Sequence, residues 1–210
     1  SYARVSYARE LLGDVPGAAR AMRLAVESAV GEPEPLAWSL TQLGKLYWSS
    51  GHLAAASRDY RAALRAHPRY PAALNALALV EAARGRQSSA IAYARRAAEI
   101  LPLPQYVSTL GDLLHGSAAR RQYALVGAIA RLERARGVNV DLEIALFDVD
   151  HRIDLAHTVG LARLAQHERP SIDGDDVLAW ALARSGRCDE ALKYSRLALR
   201  LGTRDAAKFF

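Results

Sequence analysis

A phrase of thirty-four residues is written twice in succession over residues 37–104. The first copy, Ala37 to Tyr70, carries Leu43-Gly44, Tyr47, Gly51, Ala56, Tyr60, Ala63 and Pro68. Thirty-four residues further on stand Leu77-Ala78, Glu81, Gly85, Ala90, Ala94, Ala97 and Pro102, so the order large, small, turn glycine, small, small, proline persists. A period of this length with these marks predicts stacked helical hairpins, each unable to bury its apolar face without a neighbour. Such an array works by offering a surface, not by enclosing one deep pocket.

The phrase extends both ways. Upstream, Gly13-Asp14, Ala18, Met22 and Ala25 supply the second half of a copy within 1–32, and its exit is expected to be a linker, Gly31-Glu32-Pro33-Glu34-Pro35, whose two prolines stop the helix. Regular copies span 37–70 and 71–104. A fourth, 104–137, opens with Leu110-Gly111, but Ala119 and Tyr123 arrive about four residues early. Four residues are roughly one helical turn, so its first helix is expected to break near His115-Gly116-Ser117 and its second to run from about Ala118 to Arg136. A fifth copy, 139–171, also diverges: Asp141 is the expected cap, and its turn, His151-Arg152-Ile153-Asp154, lacks glycine. The sixth, 172–205, is regular again, with Leu178-Ala179, Gly186, Ala191 and Ala198. Residues 206–210 read as the start of a further helix, so the chain is expected to be a piece of a longer array.

Composition narrows the function. Lys and Arg total 28 against 22 Asp and Glu, a net charge of +6. Arginine dominates the basic set, and with the abundant alanine this points to a GC-rich, bacterial coding sequence. The arginines are interspersed along the helical patterns with no run of five like charges, which reads as solvated helix faces rather than a nucleic-acid tail. A single cysteine, Cys188, excludes an intramolecular disulfide, and no apolar stretch reaches membrane-spanning length. No compartment is legible.

The Leu-Gly, Tyr, Gly, Ala, Tyr, Ala, Pro phrase resembles the tetratricopeptide-repeat family over nearly the whole chain, and the array is similar to long arrays of actinobacterial genomes. The resemblance implies an all-α, right-handed superhelical solenoid of antiparallel helix pairs, with first helices lining a concave groove and second helices forming the convex back. It implies a non-catalytic scaffold that holds a peptide or helix of a partner protein. Some members clamp a terminal carboxylate; Lys45 sits suggestively, but Ala76 stands where the partner asparagine belongs, so that activity is not carried over.

Helical spacing puts Trp38, Lys45, Trp48, Asn75, Asp112, His115, Glu143, Phe147, Asp150, Asp176 and Trp180 on the groove side of the first helices. Trp38, Trp48, Phe147 and Trp180 are the expected anchors, and packing between first helices is the competing role for Trp38 and Trp48. Asp112, Glu143, Asp150 and Asp176 make the carboxy-terminal part acidic against a basic background, which suits a partner with Lys or Arg beside an apolar anchor. Self-assembly through terminal repeats is the alternative, and behind it stands nucleic-acid binding by the Arg-rich convex face. His115, Glu143, Asp148, Asp150, His151 and His157 invite a metal or acid–base reading. No His pair shares a helix face at ligand spacing, so polar capping of helix ends is the expected role, and no metal, cofactor or catalytic residue is assigned.

Overall fold

The computed structural model describes residues 1–204; the expected extra helix over 206–210 lies outside the described residues. Among the described residues there are twelve α-helices and no strands. They fall into two compact units, 1–124 with 202–204, and 125–201. The first unit holds α1 (Tyr2–Leu11), α2 (Val15–Ser28), α3 (Pro33–Ser49), α4 (Leu53–Ala66), α5 (Pro71–Ala83), α6 (Gln87–Ile100), α7 (Pro104–Leu113) and the first half of α8 (Gly116–Ala135). The second holds the rest of α8 with α9 (Asp141–Asp150), α10 (Leu155–Glu168), α11 (Ile172–Arg184) and α12 (Cys188–Ala198).

Within the first unit each helix pairs with the next, α1 with α2, α3 with α4 and α5 with α6, and each second helix also packs on the following first helix. First helices touch one another, α3 with α5 and α5 with α7. The second unit repeats the scheme, with α9 on α10, α11 on α12, and α9 beside α11.

Small residues set how closely a pair can approach. An added Cβ at Gly44 would lie 2.4 Å from the Tyr60 ring, and one at Gly111 would lie 2.4 Å from the Tyr123 ring. Each glycine therefore leaves the space that a tyrosine of its partner helix fills. In the copy between them the same seam is built from Ala78 and Ala94, both fully buried. The interval is sixteen residues in Gly44–Tyr60 and Ala78–Ala94 but twelve in Gly111–Tyr123. That lost turn appears as an α7 of ten residues facing an α8 of twenty.

Two expectations are corrected here. Pro33 and Pro35 do not lie in a linker: α3 begins at Pro33, and α5 and α7 begin at Pro71 and Pro104. The first-turn N–H groups of a helix have no partner inside it, so proline opens a helix as readily as it ends the preceding one. Asp141 is not the cap of α9. Asn139 Oδ1 accepts from the Asp141 backbone N–H at 3.0 Å, while the Asp141 carboxylate pairs with Arg134.

The turns inside the hairpins share one hydrogen-bond pattern. At Gly51 and Gly85 the chain takes φ values of 76° and 73°, and the residue after each glycine bonds back five positions. In the fifth copy Arg152 occupies that left-handed position, at φ 55°, and Ile153 N–H bonds back to Asp148 in the same way. A side chain there is strained where glycine is not. Asp154 is also left-handed, at φ 34°, but its carboxylate caps α10 through the His157 N–H.

Candidate functional site

In the first unit the expected groove residues behave differently from one another. Trp38 on α3 is 40% exposed. It lines a cleft of about 480 Å³ together with Tyr2, Ala25, Ala29, Glu32 and Pro35, where the start of α1 and the end of α2 meet the start of α3. Lys45, exposed on the same helix, places Nζ 3.2 Å from Glu10 Oε1 and so ties α3 to α1. Trp48 is half-buried and packs on the cluster of Ala56, Tyr60, Leu77 and Val80, so its ring is shared between the core and the surface. Asn75 on α5 is half-buried, and its Oδ1 is enclosed without a hydrogen-bond partner among the described residues.

On α7, Asp112 is exposed and accepts a hydrogen bond from the Tyr123 hydroxyl at 2.9 Å. Burial, that hydrogen bond and the Asp112 charge together push the Tyr123 pKa up to about 12. His115 is exposed at the break between α7 and α8.

In the second unit two stripes lie side by side. Glu143, Phe147 and Asp150 follow helical spacing along α9, and Asp176, Trp180 and Arg184 follow it along α11. Trp180 Nε1 donates to Asp150 Oδ1 at 2.9 Å, which fixes the indole from across the α9–α11 contact. The Arg184 guanidinium lies over the same ring, 4.9 Å from its centroid. Glu143 and Asp150 are exposed, and Asp176 and Trp180 are half-buried.

Phe147 departs from its expected role. It is only 8% exposed, and its ring lies 4.4 Å from that of His151, so it supports the α9 stripe from beneath instead of presenting an anchor. The helical stripe of α9 is narrow, and a residue between Ile144 and Val149, both buried, is drawn inward with them. His151 sits at the α9 carboxy-terminal end with Nδ1 2.7 Å from the Phe147 carbonyl oxygen. Asp148, on the inner side of the same turn, has its pKa raised, chiefly by burial. The nearby positive groups His157, Arg134 and His151 oppose that shift, and Asp154 adds to it. Among the described residues no three His, Cys, Asp or Glu side chains converge in a way that could hold a metal ion. No helix among them is long and apolar enough to cross a membrane.

Two buried acids were not anticipated. Glu81, 2% exposed, receives Arg61 at 3.2 Å, Arg84 at 3.2 Å and Arg86 at 3.1 Å. Arg84 continues to the Ser57 hydroxyl and the Leu53 carbonyl, which joins α4, α5 and the turn into α6. The available signal was an acid at the position held by Tyr47 one copy earlier, followed by Arg84 and Arg86. Asp175 in the second unit is buried likewise, held by Arg200 and by Gln166 Nε2. A third contact escaped the repeat pattern: Thr203 Oγ1 donates to the Leu11 carbonyl at 2.7 Å, beside the close approach of Gly202 to Gly13.

Comparison with known proteins bears on the fold. Residues 41–103 match the tetratricopeptide-repeat family model. No curated protein matches the sequence significantly. Among solved structures, a thermophilic TPR protein of Thermus thermophilus is similar at 18% identity and a TM-score of 0.56, covering 82% of this chain and 94% of that one. A chain of the APC/C hetero-tetramer Cut9–Hcn1 is similar at 18% identity and a TM-score of 0.51, over 89% of this chain and 37% of that one. The matched segment lies on the two regular copies, and with helices paired and seamed at a thirty-four-residue interval the described residues have an all-α fold like that of tetratricopeptide-repeat proteins.

Proposed function

We propose that this chain holds a segment of a partner protein against its first helices and selects a basic residue beside an apolar anchor. Tetratricopeptide-repeat proteins are in general non-catalytic interaction modules, and the proposal adds where and what this one binds. The observation that carries it is the Trp180 arrangement. An indole is pinned by Asp150, faced by Arg184, and flanked along the same two stripes by Glu143 and Asp176. A half-buried aromatic ring that cannot turn away is a low-entropy contact for an apolar side chain. Three acids against one arginine on those stripes favour a cation next to it. In the first unit, Trp38 and its cleft offer a second anchor point, with Glu32 at the rim.

The test uses a short peptide with Arg or Lys flanking Leu or Trp. Asp150→Asn with Asp176→Asn is expected to weaken it by roughly 3- to 30-fold, since each of the two charge pairs contributes up to about 1 kcal/mol, and to flatten its salt dependence. Affinity unchanged in the double variant, at equal helicity, contradicts the acidic-face reading.

A second reading is self-association. α1 exposes Tyr2, Val5 and Tyr7, and α12 exposes Leu192. Phe209 and Phe210, expected to extend that apolar surface, lie outside the described residues. Light scattering across a concentration series distinguishes this reading, and a strict monomer at high concentration contradicts it.

A further inference from the structure

The charge of this chain is segregated along its length. Residues 1–50 carry five basic and five acidic side chains, and residues 125–210 carry thirteen of each. The whole net charge of +6 therefore resides in residues 51–124, where ten arginines face four acids. Two of those acids, Asp59 and Glu81, are buried and already matched by Arg58 and by Arg61, Arg84 and Arg86. A third, Asp112, sits on a first helix and is engaged by Tyr123. On the second helices of this stretch Glu99 is the one exposed acid among the described residues. Six exposed arginines remain with no carboxylate partner among the described residues: Arg65 and Arg69 at the end of α4 and just past it, Arg95 and Arg96 on α6, and Arg120 and Arg121 on α8. Arg96 also reaches the Pro68 carbonyl at 3.3 Å, which brings α6 up to the α4–α5 connection.

From this we infer a second interaction surface, on the exposed side of α4, α6 and the start of α8, that binds the phosphate backbone of a nucleic-acid duplex without reading its sequence. The guanidinium fork matches phosphate oxygens, and the six arginines are spread over three helices and the α4–α5 connection instead of converging on one point. The absence of anchors decides against a protein partner. The exposed large apolar side chains of this stretch, among the described residues, are Leu79, on a first helix, and Leu101, past the end of α6, so α4 and α6 offer no apolar centre of the kind protein interfaces are built around. Tyr60, Tyr70, Tyr93, Tyr106 and Tyr123 are all buried or half-buried. Without exposed rings there is no platform for unpaired bases, which favours a duplex over a single strand.

The test is anisotropy of a fluorescein-labelled 20-base-pair duplex of arbitrary sequence, titrated with the full chain at 50, 100 and 200 mM KCl. About five phosphate contacts give a log–log salt slope near −4.5, so affinity falls about 500-fold over that range. The variant Arg65→Gln, Arg95→Gln, Arg120→Gln, Arg121→Gln removes only unpaired, exposed charges; it is expected to keep its helicity and thermal midpoint while the slope drops to about −1. Asp150→Asn with Asp176→Asn leaves duplex binding unchanged, which keeps this surface separable from the peptide-binding face. No binding at 50 mM, a flat salt response, or full binding by the arginine variant overturns the inference. So does binding of phosphatidylserine vesicles or polyglutamate at least as tight as that of the duplex.

Discussion

Replacing Gly44 by alanine tests the packing rule on which the repeat reading stands. The new methyl would lie 2.4 Å from Tyr60 Cε1 and 2.6 Å from Cδ1, more than 1 Å inside an ordinary carbon–carbon contact of roughly 3.5–4.0 Å. Tyr60 is 3% exposed and cannot swing into solvent. Overpacking of this kind costs about 1–3 kcal/mol, and the better helix propensity of alanine returns up to about 1 kcal/mol. A net loss of about 1–2 kcal/mol is expected. Removing the ring changes the sign. In a Tyr60→Ala background, itself destabilised by roughly 3–5 kcal/mol, Gly44→Ala meets no ring and should gain up to about 1 kcal/mol. The double variant then reproduces the seam that Ala78 and Ala94 already make one copy later. The cycle, followed by circular dichroism in urea, should give a coupling of about 2–3 kcal/mol between the two sites. A coupling below about 0.5 kcal/mol would mean that glycine and tyrosine do not share this space, and the packing rule would fail.

Arg152→Gly relieves a left-handed residue at the position its hairpin relatives give to glycine; a thermal melt should show stabilisation by about 1 kcal/mol. The Asp148 pKa is raised above its ordinary value, chiefly because the side chain is partly buried. The native state then holds a proton that the unfolded chain has released, so stability falls as pH rises from the ordinary value through the raised one. Asp148→Asn should remove that decline and be the more stable form at neutral pH, as melts at pH 4 and pH 7 will show. Glu81→Gln leaves Arg61, Arg84 and Arg86 around a neutral amide; two of the three are largely exposed and can rehydrate, so a loss of about 2 kcal/mol is expected, less than for a fully enclosed pair.

The fold was legible because it is written in intervals. The Gly44–Tyr60 spacing, repeated as Ala78–Ala94 and shortened by one turn in Gly111–Tyr123, carries both the regular copies and the short α7 with long α8. The helix start at Pro33 was misjudged because proline closes one helix and opens the next with the same ring. The side-chain roles were less legible. Spacing assigns a residue to a face, but it does not say how wide the exposed part of that face is. Phe147 fell inside the boundary and Trp38 outside it, while Trp48 straddles it. The Glu81 network and the Asp150 hydrogen bond to Trp180 depend on side chains whose partners come from another helix or turn, and no single-helix periodicity contains the whole of either arrangement. The bias of positive charge toward 51–124 was hidden because the arginines stand singly or in pairs. It emerges when charges are counted by segment, and the buried, already matched acids Asp59 and Glu81 do nothing to offset the exposed arginines.

The most direct test of the binding account is the fluorescence of Trp180 in a Trp38→Phe, Trp48→Phe variant, titrated with a basic peptide that carries one apolar anchor, beside calorimetry of the same mixture. The account predicts a saturable shift of Trp180 emission with the calorimetric affinity, lost in Asp150→Asn with Asp176→Asn. Calorimetric binding with Trp180 emission unchanged would place the partner elsewhere and contradict it.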